Sequence, residues 1–411
     1  MRISNVGISC LPGRGHLYPV TALGRRLQSR GYRVTVFGRR ITQSIVRDAG
    51  LAFRALPDSD GIIAAARSSG RARNGPDTLN LVARHATSVF QHLKKALVDA
   101  GIEAMLVDHA DPAAGTVADV LGLSFVTIGT FPPIYLDDEV PPFICDWIPD
   151  DERDARDRNR RANALFARLV APVLDVVNDQ RRVWGLPEFD GVNDAFSKLA
   201  IITQLPAWLD FPRSHPPAHL FYTGPFSDMC GRRPVPFPWD RLTGQPLVYA
   251  CLGTVRNTAR HAYEIIAEAC AALQVQLVVS LGGMALTPQD LGALAGNPLV
   301  VHYAPQDQLL QQASLAIIHG GLNSTLECIC HGVPMVAIPI TDDQPGMAAR
   351  IRWQGLGVTL SYRRLTAAAL RECISEVLTN PQYRRASARA QPLTTSGLDR
   401  AADIIDRVFD R

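Results

Sequence analysis

Several things are scarce in this sequence of 411 residues, and each scarcity excludes something. No run of 18 apolar residues exists, so no segment reads as a membrane span. The N-terminal apolar run, Ile3 to Leu11, is broken by Gly7 and ends in Pro12-Gly13, which is not the build of a signal peptide. An excess of one sign of charge is nearly absent: 42 basic and 39 acidic residues leave a formal net charge of +3. So small an excess gives no reason to expect nucleic acid or an acidic membrane as a partner. Lysine occurs only at Lys94, Lys95 and Lys198, which argues against a pyridoxal phosphate enzyme. The eight cysteines form no C-x-x-C and no zinc-spaced cluster with histidine. They read as reduced thiols that pack like small apolar residues, in a cytoplasmic protein. Repeats, low-complexity tracts and a plain GxGxxG fingerprint are all missing.

What is present is a length suited to two domains and a soluble balance of 47% hydrophobic and 20% charged residues. Short apolar runs alternate with helical patterns. Ile3–Leu11, Arg33–Gly38, Ala104–Asp108, Ser124–Ile128 and Leu199–Thr203 read as strands, with helices at Leu17–Arg30 and Ala113–Leu121. Asp137–Arg161 breaks the rhythm with acidic and proline-rich sequence. A mobile loop is expected there, then a helix from about Asp154 to Trp184 with Pro172 as a kink site. Pro206–Pro246 is Pro- and Gly-rich and contains the best linker. The alternation then restarts with strands at Leu247–Leu252, Gln276–Leu281, Leu299–His302, Leu315–His319 and Met335–Ile338. This predicts an α/β protein of two doubly wound, Rossmann-like domains facing across a cleft, with chemistry on loops at the carboxyl ends of strands. The expected divisions are residues 1–225, a linker at 226–243, a second domain at 244–396, and a last helix at 397–411 that could pack on either domain.

The richest stretch runs from Tyr303 to Pro345. Its centre is a strand, Gly320-Gly321, then Asn323-Ser324-Thr325 and a helix. Glycines after a strand let backbone approach a ligand, and the first free N–H groups of a helix face an anion. His319, Asn323 and Ser324 add donors. Glu327 lies one turn beyond Asn323 on the same face, where its carboxylate suits a pair of ribose hydroxyls better than phosphate. A plain helix cap would explain Asn323 or Ser324 singly, but not the glycines, the histidine and the carboxylate together.

In order and spacing, Tyr-x-Pro-Gln, His-x-Gly-x-Asn-Ser, Glu, Pro and Asp-Gln resemble the signature box of family 1 glycosyltransferases, which use UDP-sugars and have a GT-B fold. The variant His-Gly-Gly-Leu-Asn, with Asp343–Pro345, Ala348–Arg350 and Gly355–Gly357, looks most like bacterial members, the zeaxanthin glucosyltransferases in particular. The resemblance implies that Tyr303 stacks on uracil, that the Ala304 backbone and Gln306 hold the base edge or ribose, and that Glu327 binds the ribose. It implies His319, Asn323 and Ser324 on the diphosphate, with Gly321 and the Leu322 backbone beside them. Asp343 and Gln344 would reach sugar hydroxyls, and Gln344 favours UDP-glucose. Plant members have Trp where Leu322 stands. Gly15, Thr254 after one strand and Ser280 after the next would also line the donor site.

Earlier in the chain, Pro12-Gly13-Arg14-Gly15-His16 joins the first strand to the first helix. A histidine there has the right class of pKa to take a proton. A helix start disfavours imidazolium, so a carboxylate partner is wanted. Asp108 ends a strand that a parallel sheet would bring alongside, and Asp111, one turn on, is the other candidate. In the family, the matching Gly-His pair supplies the base that deprotonates the acceptor, and the matching Asp orients it. Transfer then inverts the anomeric carbon without a metal or other cofactor. Phe131, Tyr135, Phe143, Trp147 and the Ile62–Asn74 loop are the candidate acceptor lining. They suit a small hydrophobic molecule bearing a hydroxyl, such as a carotenoid, polyketide, alkaloid or phenolic. A lipid acceptor would bring peripheral membrane contact. Asp58-Ser59-Asp60 is read as a chance D-x-D rather than a metal site. Two rival readings are a non-catalytic nucleotide-sugar binder, and a transferase of dTDP-deoxysugars onto a polyketide or alkaloid.

Overall fold

The computed structural model describes residues 3–57, 75–150, 153–227, 234–253, 260–283 and 286–410. Two wholly parallel sheets organise them. The first has seven strands: β1 Asn5–Ser9, β2 Arg33–Arg39, β3 Ala52–Leu56, β4 Ala104–Asp108, β5 Ser124–Gly129, β6 Ile201–Thr203 and β7 Leu220–Tyr222, in the order β3-β2-β1-β4-β5-β6-β7. The second has six: β8 Leu247–Cys251, β9 Gln276–Ser280, β10 Leu299–Val301, β11 Ala313–Ile318, β12 Met335–Ala337 and β13 Gly357–Thr359, in the order β10-β9-β8-β11-β12-β13. The central strands β1, β4 and β8 are buried along their whole length, as parallel strands covered by helices on both faces must be. Both sheets reverse direction of winding once, between β1 and β4 and between β8 and β11. Such a switch point opens a crevice at the strand carboxyl ends.

Three strands lie where the sequence reading placed none: β3, β13, and β7 inside the Pro-rich stretch. The helix expected from Leu17 begins at Arg14, which puts His16 in its first turn. The helix Arg153–Val183 runs through Pro172. Part of the expected linker, residues 228–233, lies outside the described residues.

The last helix, Leu398–Phe409, packs on the first sheet's side. Its Leu398, Ala401, Ile404, Ile405 and Phe409 share one core with Val6, Ile8, Leu17, Leu23 and Leu27. Arg30 clamps it, donating from Nη1 to Asp403 and Asp406 at 2.6 and 2.7 Å. Tyr32 donates its hydroxyl to Asp406 at 2.8 Å. To get there the chain returns past its own outgoing crossing. The Gly397 amide donates to the Pro225 carbonyl at 2.8 Å, and a side chain on Gly397 would collide with the Gly224 backbone.

A buried ionic cluster ties the halves together. Asp210, after β6, accepts from Arg350 Nε and Nη2 at 2.9 and 2.5 Å. It also accepts from Arg213 at 2.7 Å and from the Tyr222 hydroxyl at 2.6 Å. Arg350 belongs to the helix Gln344–Trp353 of the second half. Nearby, Phe143 of the 137–147 segment lays its backbone against Gly346, where no side chain would fit.

Candidate active site

The residues that follow β1, β4, β5 and β6 stand side by side because the strands do. His16 comes from the first turn of the helix after β1 and Asp108 from the end of β4, so they flank the first switch point. His16 Nδ1 lies 2.5 Å from Asp108 Oδ2. Asp108 has no exposed side-chain surface, whereas His16 keeps about a fifth of its own. A carboxylate at that distance fixes the proton on Nδ1 and leaves the Nε2 lone pair free. Burial alone would lower the His16 pKa, but the Asp108 charge and hydrogen bond outweigh it and hold it above the ordinary value. Burial would raise Asp108, and His16 outweighs that in turn, keeping the carboxyl below its usual range. The Ala110 amide donates to Asp108 Oδ1 at 3.0 Å, and the Thr130 hydroxyl, after β5, stands 3.0 Å from His16 Nδ1.

Asp111 has other work. It accepts from Ala114 N as a helix cap at 3.3 Å, from the Ser9 hydroxyl at 2.8 Å, and faces His85 Nε2 at 3.3 Å. Between the two candidates the geometry therefore pairs His16 with Asp108. Phe131 sets its ring edge-on to His16, 5.8 Å between centroids, and packs at 3.8 Å on His109 and 5.5 Å on Phe143. Tyr135 is not in this group: it joins Phe196, Ile201 and Leu220 at the sheet edge. Trp147 turns to the helix Arg153–Val183, donating to Asn159 at 3.2 Å under the Arg158 guanidinium. The Ile62–Asn74 loop and the Asp58-Ser59-Asp60 triplet lie outside the described residues, as does Thr254.

The second switch point holds His319, after β11, and Gly253, after β8. The imidazole fills the space a side chain on Gly253 or Gly321 would need. Burial pushes its pKa down to about 4, so it is neutral, and its Nδ1 is enclosed without a partner. Gly321 is the N-cap of the helix Leu322–Cys330, and no side chain caps it. Asn323 and Ser324 therefore lie inside the first turn rather than capping it. The amides of residues 322–324 have no acceptor within the helix, which is the makeup of an anion site. Leu322 turns its side chain into the core and offers only backbone, and Ala304 is likewise buried. Gln306 Nε2 donates to Glu327 at 2.6 Å while its Oε1 accepts from the Tyr249 hydroxyl at 2.9 Å. Ser280 is a correction. It is buried, with its hydroxyl bonded to Tyr249 and Cys251, so it braces the site from behind rather than lining it.

Gln344 spends its Oε1 on the Ile340 and Thr341 amides, at 2.8 and 3.1 Å, which leaves only its Nε2 for a ligand. Asp343 is pushed up to about 7, first by burial and then by Asp342, whose backbone is held at φ 56°. His16 and Asp343 influence each other electrostatically, so the two switch points face one another. Three direct contacts bridge the halves here. Asn323 Nδ2 donates to the Gly15 carbonyl at 2.7 Å, and its Oδ1 accepts from Gln204 Nε2 at 2.7 Å. Arg14 lays its guanidinium over the Tyr303 ring, 4.9 Å from the centroid. Thr130, His109, Gln204 and Arg14 were not singled out from sequence. Thr130 and Gln204 follow strand ends, a signal that could have found them. Among the described residues no cluster of three or more His, Cys, Asp or Glu could hold a metal ion, and no helix is long and apolar enough to cross a membrane.

Known proteins are similar to this chain over nearly its whole length. Residues 240–408 match the family described as UDP-glucoronosyl and UDP-glucosyl transferase, and residues 13–113 match the glycosyltransferase family 28 N-terminal domain. The zeaxanthin glucosyltransferase of Pantoea ananas is 29% identical, with 97% of this chain and 94% of that one covered. The 4'-demethylrebeccamycin synthase of Lentzea aerocolonigenes is 25% identical, with 98% and 99% covered. Among solved structures, the glycotransferase of kitacinnamycin superposes with a TM-score of 0.76 at 23% identity, over 99% of both chains. VinC, solved in complex with dTDP, gives 0.70 at 18%, over 99% of this chain and 100% of its own. The structural matches establish the fold, two parallel α/β halves facing across a cleft. Over residues 240–408 the chain is similar to the UDP-glucoronosyl and UDP-glucosyl transferases, and it has the GT-B fold.

Proposed function

We propose that this glycosyltransferase moves a hexose, glucose foremost, from a UDP-sugar to a hydroxyl of a small hydrophobic natural product, with inversion and without a metal. The observation that carries the reading is the His16–Asp108 pair, with Nε2 free, set across the cleft from the uncapped helix start at Leu322. His16 Nε2 takes the proton of the acceptor hydroxyl, and Asp108 stabilises the imidazolium that results. The acceptor oxygen bonds to the anomeric carbon as the bond from that carbon to the diphosphate oxygen breaks. UDP leaves from the opposite face. The amides of residues 322–324 and neutral His319 receive the charge that develops on the diphosphate. Tyr303 supports the base, Gln306 and Glu327 the ribose, and Asp343 with Gln344 Nε2 the sugar hydroxyls. Phe131 and Phe143 beside His16 give the acceptor site its apolar wall.

The alternative donor is a dTDP-deoxysugar with a polyketide or alkaloid acceptor. The test is incubation with UDP-glucose or dTDP-glucose and an acceptor panel in a chelator, reading nucleotide release and a mass gain of one hexose. His16→Ala should lose roughly 10²–10⁴-fold in turnover and still bind UDP. Undiminished turnover in that variant removes His16 as the base. Binding without release or mass gain on any acceptor would return the chain to a non-catalytic binder.

A further inference from the structure

Arg14 sits badly for a helix residue. It opens the helix Arg14–Ser29, which has no acidic residue in its first turn and no side-chain cap. A cation at that end opposes the helix dipole. The side chain does not serve its own helix. It crosses to the other half, places its guanidinium over the Tyr303 ring and brings Nη1 to 3.5 Å from the Gly282 carbonyl. The receiving slot is shaped for it: a side chain on Gly283, itself at φ 75°, would meet Arg14 Nη1 at 3.0 Å and the Tyr303 ring at 3.1 Å.

This contact conflicts with the role proposed for Tyr303. A base stacked on that ring needs its own centroid about 4.5–7 Å from the tyrosine's. The guanidinium already occupies one of the ring's two faces, the one turned toward the first half, at 4.9 Å. Base and guanidinium cannot share it. The displaced cation has an obvious alternative. The next residue, Gly15, holds Asn323 in the first turn of the helix at Leu322, where the diphosphate is placed. Of the side chains described above at that site, His319 is neutral, Asp343 and Glu327 are acids, and Arg14 is a permanent cation.

Resting on the donor reading above, we propose that Arg14 is a donor-responsive residue. It bridges the cleft by lying on Tyr303, and it yields that face to the base and pairs with the diphosphate when a nucleoside diphosphate enters. A nucleoside without phosphate must displace Arg14 and gets nothing back. A nucleoside diphosphate recovers a charge-assisted bond.

The test is calorimetric titration of the wild-type chain, Arg14→Ala, Arg14→Lys and Tyr303→Ala with uridine and with UDP. In Arg14→Ala, uridine should bind as well as or better than in wild type and UDP more weakly. The affinity ratio of UDP to uridine should fall about tenfold or more, the size of one charge-assisted hydrogen bond. Arg14→Lys should restore most of that ratio. Tyr303→Ala should weaken both ligands. An unchanged ratio in Arg14→Ala, or equal losses for uridine and UDP, overturns the proposal while leaving the donor site standing. A wild-type chain that binds neither UDP nor dTDP overturns the donor reading, and this inference with it.

Discussion

Removing one member of the buried pair between Asp210 and Arg350 should destabilise the protein by about 3–5 kcal/mol, the range for breaking a buried ion pair from one side. The side chains of both residues are only 2% exposed, so water cannot take over from a lost partner. The structure refines the figure. In Asp210→Ala, Arg213 still has Asp137 at 2.6 Å, and Arg350 Nη1 still has the Gly346 carbonyl at 2.9 Å. Arg350 Nε and Nη2 are stranded, while the Tyr222 hydroxyl still accepts from Arg213 Nη1 at 2.7 Å. The cost belongs near the lower end, about 3 kcal/mol. Replacing both ends with apolar residues, Asp210→Leu with Arg350→Leu, should cost less than the sum of the single changes, because no charge is left buried alone. Urea unfolding of the two single variants and the double measures this as a cycle. Single losses under about 1 kcal/mol, the range of an exposed pair, would refute the reasoning. The pH dependence has a definite sign. Burial raises the Asp210 carboxyl, but Arg350 and Arg213 outweigh it and hold it well below the usual range. A depressed carboxyl contributes stability above its unfolded pKa of about 3.9, and that stability fades as pH falls toward the folded value. The variants should therefore converge on wild type in acid.

Two further outcomes follow from the catalytic side. Asp108→Asn should cut turnover by roughly 10²–10⁴-fold and move the acid limb of the kcat/KM profile to lower pH, since Asp108 is what holds His16 above its ordinary value. A limb that stays put while turnover falls would deny the electrostatic coupling. Gly346→Ala should drive the helix Gln344–Trp353 against the Phe143 backbone, costing about 1–3 kcal/mol in urea unfolding and raising the acceptor KM more than the donor KM.

The central strands were legible because a strand buried on both faces reads as an unbroken apolar run. β3 reads Ala-Phe-Arg-Ala-Leu with most positions open to solvent, and β7 and β13 are three residues long. Neither pattern carries enough periodicity to be seen. The donor box was legible because its parts are local: a strand, two glycines and a helix start lie within a dozen residues. His16 and Asp108 are 92 residues apart, and only the parallel order β1-β4 joins them. The choice against Asp111 depended on Ser9 and His85, which no spacing reveals. Tyr135 and Trp147 were aromatic residues on an irregular segment. Such residues line a site or pack under it, and composition does not separate the two. Ser280 failed for a related reason: a strand-end residue faces the crevice or the core according to the pleat, and here Tyr249 draws it inward.

The last helix carries a consequence for the order of synthesis. Residues 398–409 complete the core that β1 and the helix Arg14–Ser29 began. On the ribosome the N-terminal half is made first, yet Leu17, Leu23 and Leu27 lack their full cover until some 370 further residues have been joined. The half expected to bind the acceptor is thus the first to emerge and the last to be finished. A chain that stops short of residue 398 leaves an open apolar face in that half, on the helix that carries His16.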